Sequence, residues 1–473
     1  MPDTPPNDPT VQRPADARSD TLLLPEHLQS AIRDRDWKRL AARDIEWPNE
    51  ELVAPELVDV LHDLGSSDRV LFFRALPKRV AAEVFAYLEG DTRDDLLRHL
   101  NDAETRRLLA DLNPDDRTYL LDELPGRVTQ RLMNLLAPDD LAEARALLGY
   151  PEDSVGRLMT PEYVAVKPDW TIARALDHIR ARGRASETVN VIYVVDAEWR
   201  LLDDMPLRRL VLADPEQRVE EIMDHTVVRL EAMDDREEAV RTMRRYDRTA
   251  LPVVDSGGVL VGIVTVDDVL DVAEQEATED FHRSGAMLPL RTSYWEATKL
   301  VLYRARIGWL AALVLVNLVS SGVIAAYEEV LEAVVALAFF IPLIIDTGGN
   351  AGSQSATMMI RAISTGDVQL KQWFRAFTKE FMIGVAIGVT LGVLGMFLGF
   401  FRGGFEIGII VLLTMITMLV LTNLVGVVLP FILTRIGLDP AIASGPLITS
   451  VADAVGLIIY FSFAVWILGP MIA

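Results

Sequence analysis

The sequence predicts a multidomain membrane protein: an α-helical superhelical domain, a duplicated α/β pair, a connecting helix and a five-helix transmembrane domain. Three observations carry this. Leucine recurs every twelve residues from Leu64 to Leu148, a strand–helix pattern is duplicated between residues 151 and 272, and five apolar runs fill the last third. Charge divides along the same line. Residues 301–473 hold 8 basic and 9 acidic side chains, a net of −1, so residues 1–300 carry −22 of the total −23. Such acidity argues against binding nucleic acid or anionic headgroups, which need clustered Lys and Arg. It permits cation binding, although a solvated acidic surface is the commoner cause of such a balance. The absence of cysteine excludes disulfides, thiolate nucleophiles and Cys-ligated metal centres.

Residues 1–20 are rich in Pro and Asp and lack an apolar run, so a disordered, cytoplasmic start without a signal peptide is expected. In the helical domain, 21–150, the leucines stand at Leu64, Leu76, Leu88, Leu100, Leu112, Leu124, Leu136 and Leu148. Most are followed by a turn or capping residue: Gly65, Pro77, Asn101, Asn113-Pro114, Pro125-Gly126, Ala137-Pro138. Twelve residues hold about two helical turns plus a short connection. Stacked short helices sharing one core make a superhelix.

At Tyr150-Pro151 the pattern changes to two copies of a mixed unit, 151–214 and 215–272. Leu158-Met159 matches Ile222-Met223, and Ala175-Leu176 matches Ala239-Val240. Strands are expected at Val191–Asp196 and Leu251–Asp255, and the second copy closes on Gly262-Ile263-Val264-Thr265-Val266-Asp267-Asp268. These units resemble a tandem pair of CBS domains. The resemblance implies a pseudo-symmetric module that dimerises and binds adenine nucleotides such as ATP, with Gly262, Thr265 and Asp268 fitting the nucleotide-binding form. The first copy departs, with Arg209 where the acidic partner would lie. A purely structural, dimerising pair stays open.

A connecting helix is expected over 273–300, acidic at Glu274–Asp280 and aromatic and basic from Tyr294-Trp295 to Arg304 and Arg306, as at a cytoplasmic membrane boundary. It would transmit movement or act as a passive tether. The transmembrane domain, 301–473, contains apolar runs at Ile307–Tyr327, Val330–Ile360, Phe381–Phe401, Ile407–Ile436 and Gly445–Ile472, each long enough to span. Arg361, Lys371, Arg375, Lys379 and Arg435 lie in the links on one side, and Glu328, Glu329, Glu332 and only Arg402 on the other. The positive-inside rule then puts the soluble half in the cytoplasm and the C-terminus outside.

Two runs are polar where lipid is expected. In the second, Pro342 and Gly348-Gly349 predict interruptions, and Asp346, Asn350, Ser353, Gln354 and Thr357 fall on one stripe. Such groups persist at depth only against protein or a wet cavity. The glycines would equally serve close helix packing. In the fifth, Pro446, Thr449, Asp453 and Gly456 share a face, and no basic residue accompanies Asp453. A carboxylate at the centre of a span costs about 2.5–3.5 kcal/mol on insertion scales, which favours a cation site over a buried, hydrogen-bonded aspartate.

Asp346-Thr347-Gly348-Gly349-Asn350-Ala351-Gly352-Ser353-Gln354, Asn423-Leu424-Val425-Gly426-Val427-Val428-Leu429-Pro430 and Ala452-Asp453-Ala454-Val455-Gly456 resemble the MgtE family of magnesium channels, as does the domain order. The resemblance implies a homodimer in membrane lipid, with one pore on the two-fold axis and cytosolic domains that sense Mg2+. It makes Asp453 the pore aspartate, with Asn350, Gly349, Ser353, Thr449 and Pro446 around the hydrated ion. It also implies regulatory Mg2+ at Asp115, Asp247, Asp268, Asp271, Glu279 and Asp280. One departure is Gly445-Pro446-Leu447, where the family carries Asn-Pro-Leu. The expected function is a passive Mg2+ influx channel closed by cytosolic Mg2+. The alternatives are a Na+- or H+-coupled divalent-cation carrier that also takes Mn2+, Co2+ or Ni2+, and a membrane-anchored sensor. No nucleophile–base pair, histidine cluster or phosphate loop suggests an enzyme.

Overall fold

A computed structural model describes residues 24–42, 47, 50–88, 90–290, 294 and 297–472. The expected start at 1–20 and Trp295 lie outside the described residues. The chain divides into two units, Met1–Ala273 and Glu274–Ala473.

The first unit opens with α1 (Glu26–Arg33), α2 (Trp37–Leu40), α3 (Glu50–Asp63), α4 (Ser66–Ala75), α5 (Lys78–Ala86), α6 (Gly90–His99), α7 (Asp102–Asp111), α8 (Pro114–Glu123), α9 (Gly126–Met133) and α10 (Pro138–Leu147). The twelve-residue leucines sit just beyond the helix ends and are buried in, or packed against, one shared core. Their neighbours stop and restart the chain. Asn101 and Glu104 form a reciprocal capping box on α7, and Pro114 and Pro138 open α8 and α10 where no amide hydrogen is needed. Helices pack on their next-but-one neighbours, α3 on α5, α5 on α7, and α4 on α6, which winds the stack into a superhelix.

The duplicated part repeats one topology. In the first copy α11 (Val155–Leu158) and α12 (Ile172–Arg182) flank β1 (Ala165–Val166), which runs parallel to β2 (Val191–Val195). Antiparallel β3 (Leu201–Pro206) follows, then α13 (Leu207–Leu212). In the second copy α14 (Val219–Ile222), β4 (Leu230–Glu231), α15 (Arg236–Tyr246), β5 (Ala250–Val254) and β6 (Leu260–Thr265) pair in the same order. Val191, Tyr193, Val195 and Leu201 share one buried cluster with Ala250, Val254, Leu260 and Ile263, so the copies close a common core. Gly262 is required there: a Cβ would lie 2.7 Å from the Met159 sulfur and 2.9 Å from the Thr160 carbonyl.

Helix α16 (Val266–Ser284) starts at the end of the second copy. It stops at Gly285, with Ala286 at φ 56° and Pro289 beyond, and the described residues from there to 298 are not helical, although a connecting helix to 300 was expected. Among the described residues, five segments are long and apolar enough to cross a membrane: Lys299–Ala326, Val335–Ser364, Leu370–Gly403, Phe405–Arg435 and Gly445–Gly469. Their helices are α17 (Lys299–Ala326), α19 (Ile341–Ser364), α20 (Trp373–Gly403), α21 (Phe405–Arg435) and α22 (Gly445–Ile472), with the short α18 (Glu328–Ala333) after α17. The expected break at Gly348-Gly349 is corrected, because α19 runs unbroken through both. The interruption lies earlier, in a 3-10 stretch at Val335–Phe340, and Pro342 sits in the first turn of α19, where proline is tolerated. The two glycines serve packing instead: a Cβ on Gly348 would overlap the Met418 side chain, and one on Gly349 would lie 2.7 Å from Thr449. On α20, Gly384, Gly388, Gly392 and Gly399 bring the backbone of α21 equally close.

Candidate cation pathway and acidic interface

In the membrane half, α19 buries Ile344, Gly348, Gly349, Ala351, Gly352, Ser355 and Ala356 against its neighbours. The opposite face exposes Pro342, Asp346, Asn350, Gln354 and Thr357 at steps of three and four. The polar stripe therefore lies on the exposed side of α19. Ser353 turns inward. Its hydroxyl lies 3.2 Å from the Gly445 carbonyl and 3.2 Å from the Thr449 hydroxyl, which itself donates to Gly445 at 2.9 Å. Gly349, Ser353, Gly445 and Thr449 thus form one tight crossing of α19 and α22. A Cβ on Gly445 would meet Ser353 at an ordinary 3.6 Å, so a larger residue fits there at its first atom.

Asp453 lies one turn beyond Thr449, half-buried, and one carboxylate oxygen is enclosed with no hydrogen-bond donor. Asp346, on the exposed stripe, is close enough for its charge to act on Asp453. Sequence reasoning placed Asp346 on the stripe but did not count it among the pathway residues. Pro446 is half-buried at the start of α22.

A second concentration of acid forms in the first unit, where α8 meets the duplicated part. Asp115 is pushed up to about 6 by burial, with Asp267 and Glu162 adding repulsion. Asp116 is pushed up to about 8 by burial, with Asp115, Glu83, Asp267 and Asp271 nearby. Glu187 also rises to about 8, through burial and the charges of Asp115, Asp267 and Asp116, while Asn113 donates to it at 3.0 Å. Asp268 is held well above the usual carboxylate range by burial and Asp115, although Thr265 donates to it at 2.8 Å. Of the residues expected to regulate, Asp115, Asp268 and Asp271 come together here. Asp116, of the same acidic turn as Asp115, joins them, as do Asp267, Glu187, Glu162 and Glu83, which sequence reasoning missed.

Asp247 stands apart, exposed at the left-handed C-terminus of α15 with φ 49°. Glu279 and Asp280 lie on α16 in the second unit. There Arg283 bridges Glu279 and Asp439, and Asp280 is raised to about 6 by burial, then by Asp439 and Glu276, with a hydrogen bond to Ser364 acting against them. Asp439 also accepts from the Ala441 amide in the turn that leads into α22.

Among the described residues no three of His, Asp or Glu stand close enough to hold a metal ion directly. The carboxylates of the acidic interface are hard oxygen acceptors of the kind Mg2+ takes, directly or through its retained waters. At the nucleotide-type motif, Thr265 is engaged with Asp268. In the first copy Arg209 forms an ion pair with Asp224 at 2.8 Å.

Family models match three parts of the chain: the MgtE intracellular N domain at 53–153, CBS domains at 155–203 and 219–274, and the MgtE divalent cation transporter at 341–463. The magnesium transporter MgtE of Thermus thermophilus is 42% identical over 440 residues, 92% of this chain and 97% of that one. That of Bacillus subtilis is 33% identical, over 86% of this chain and 92% of its own. A solved structure described as the cytosolic domain of the Mg2+ channel MgtE in complex with ATP aligns with TM-score 0.48 at 40% identity, covering 52% of this chain and 98% of that one. With near-complete coverage by relatives of this similarity, the chain belongs to the MgtE family of magnesium transporters.

Proposed function

We propose that this chain works as a homodimer whose two membrane halves enclose one passive Mg2+ pathway, closed when cytosolic Mg2+ fills the acidic interface. The observation that carries the proposal is the exposed stripe of Asp346, Asn350, Gln354 and Thr357 on a helix of membrane-spanning length, beside Asp453. Lipid cannot solvate those groups, so a second copy and water must face them. Two Asp453 carboxylates across an axis, supported by Asp346, suit an ion that sheds water reluctantly and accepts one or two carboxylates. Dimerisation draws further support from Val211, Leu212, Val266 and Leu270, apolar and exposed on α13 and α16.

For gating, Mg2+ relieves the repulsion among Asp115, Asp116, Asp267, Asp268 and Glu187, and so favours one arrangement of the first unit. In the second unit the link runs from α16 through Arg283 and Asp439 to the turn before α22, where Gly445 meets Ser353. An adenine nucleotide at Gly262, Thr265 and Asp268 would compete with this arrangement for Asp268. The soluble half and the basic links are then cytoplasmic, with the C-terminus outside. Recording from the purified protein in planar bilayers tests the mechanism. A channel gives unitary Mg2+ currents that fall silent as Mg2+ rises on the cytosolic side, whereas flux without unitary currents would identify a coupled carrier.

A further inference from the structure

Tyr460, on α22 beyond Asp453, is fully buried, and its hydroxyl donates to the Leu337 carbonyl at 2.9 Å. Leu337, equally buried, lies in the 3-10 stretch Val335–Phe340 that leads into α19. Both residues sit in one apolar cluster with Phe340, Ile344, Leu457 and Phe461. A phenol enclosed among hydrocarbon side chains keeps its hydrogen bond, since no water competes for it. The 3-10 stretch has poorer internal hydrogen bonds than an α-helix, so the start of α19 depends on what ties it down.

Contacts descend α19 as they climb α22. The Ser353 hydroxyl donates to the Gly445 carbonyl at 3.2 Å, a Cβ on Gly349 would lie 2.7 Å from Thr449, and Tyr460 donates to Leu337. The two segments therefore run antiparallel and in step, which sets Asp346 level with Asp453. One hydrogen-bonded tie, Ser353 with Gly445 and Thr449, lies on one side of that pair of like charges, and Tyr460 with Leu337 lies on the other. Carboxylates left to themselves move apart. We infer that Tyr460 is a positioning residue for the cation pathway: its hydrogen bond holds the start of α19 on α22 and so keeps Asp346 within reach of an ion at Asp453. The inference rests on the reading of Asp453 as a pathway residue. Tyr460 itself touches no ion. It acts through the spacing of two helices, which a shared ion needs held to about 0.5 Å.

Mg2+ entry into proteoliposomes carrying the full-length protein is measured over a range of Mg2+ concentrations, with the melting temperature recorded beside it. Tyr460→Phe removes one oxygen and keeps the ring, so the protein should still fold and dimerise. Its half-saturating Mg2+ should rise roughly three- to tenfold, the range that one hydrogen bond between membrane helices covers, while the maximal rate changes less. With Asp346→Asn already present, Tyr460→Phe should raise half-saturation no further, because the carboxylate it positions is gone. Phe461→Leu is the packing control. It loosens the ring stack on Tyr327, 4.9 Å between centroids, without touching the hydrogen bond, and should lower the melting temperature while half-saturation stays put. Incorporating 4-aminophenylalanine at position 460, which restores a donor, should return half-saturation toward the wild-type value. The inference is overturned if Tyr460→Phe keeps the wild-type half-saturation, if its effect persists in full on Asp346→Asn, or if Phe461→Leu reproduces it. Asp453→Asn, run alongside, separates the two claims. Entry at the wild-type rate through that variant faults the pathway, whereas slow entry through it with unchanged half-saturation in Tyr460→Phe faults the role of Tyr460 alone.

Discussion

Protons and Mg2+ should compete at the acidic interface, and the competition has a calculable size. Asp116 and Glu187 are held at about 8 and Asp115 at about 6, in each case chiefly by burial. Near pH 7 the first two are largely protonated and the third largely ionised, so Mg2+ that requires all three ionised must release about two protons from Asp116 and Glu187, to which Asp268, also raised by burial, adds. By pH 9 the release should fall toward zero. The apparent affinity should accordingly rise up to roughly a hundredfold per pH unit around pH 7 and level off above 8. Titration calorimetry of the full-length protein in two buffers of different ionisation enthalpy measures the released protons directly. Asp116→Asn combined with Glu187→Gln should remove about two protons' worth of the buffer dependence, leaving the share of Asp268, which burial also holds well above the usual carboxylate range. Identical heats in both buffers, or an affinity flat from pH 6 to 9, would refute the idea that Mg2+ acts by displacing these protons.

The same carboxyls set the sign of the stability change without metal. Their folded-state values are raised, so the stability they contribute is fully present below their unfolded values near 4 and is lost as pH rises through 6 to 8. Protease resistance of the first unit in EDTA should therefore be lower at pH 9 than at pH 6, with Mg2+ restoring it at pH 9. Gly426→Ala should separate α19 from α21, because its Cβ would lie 2.5 Å from the Gly352 carbonyl and 3.0 Å from the Ala356 amide. Overpacking against backbone of this kind costs about 1–3 kcal/mol, read as a lower melting temperature in detergent. Arg283→Ala should release Asp439 and weaken closure, so that currents persist at Mg2+ concentrations that silence the wild type; an unchanged inhibition curve would remove α16 from the gating route.

Much of the fold was legible because its signals are local and periodic. Leu76 and Leu124 recur with the same proline after them, and the strands at Val191 and Ala250 repeat after matching helices. The polar stripe of α19 was legible for the same reason, since Asp346, Asn350 and Gln354 step by four along one helix. Proximity between distant segments leaves no such trace. Asp116, Glu187 and Asp267 each look like ordinary surface acids, and only the fold brings α8, the loop after α12 and the start of α16 together. Gly348-Gly349 misled in another way, because glycine that ends a helix in water also permits close packing between membrane helices. Tyr460 reads as one more aromatic residue in an apolar run, and only the fold sets its hydroxyl on the Leu337 carbonyl.

The most direct test of the central claim is Mg2+ entry into proteoliposomes that enclose a Mg2+-sensitive dye, comparing the wild type with Asp453→Asn. If Asp453 lies on the Mg2+ pathway, the wild type fills the vesicles down the Mg2+ gradient with no Na+ or H+ gradient imposed, and Asp453→Asn, dimeric and folded as judged by gel filtration, fills them at least tenfold more slowly. Entry at the wild-type rate through Asp453→Asn would contradict that account.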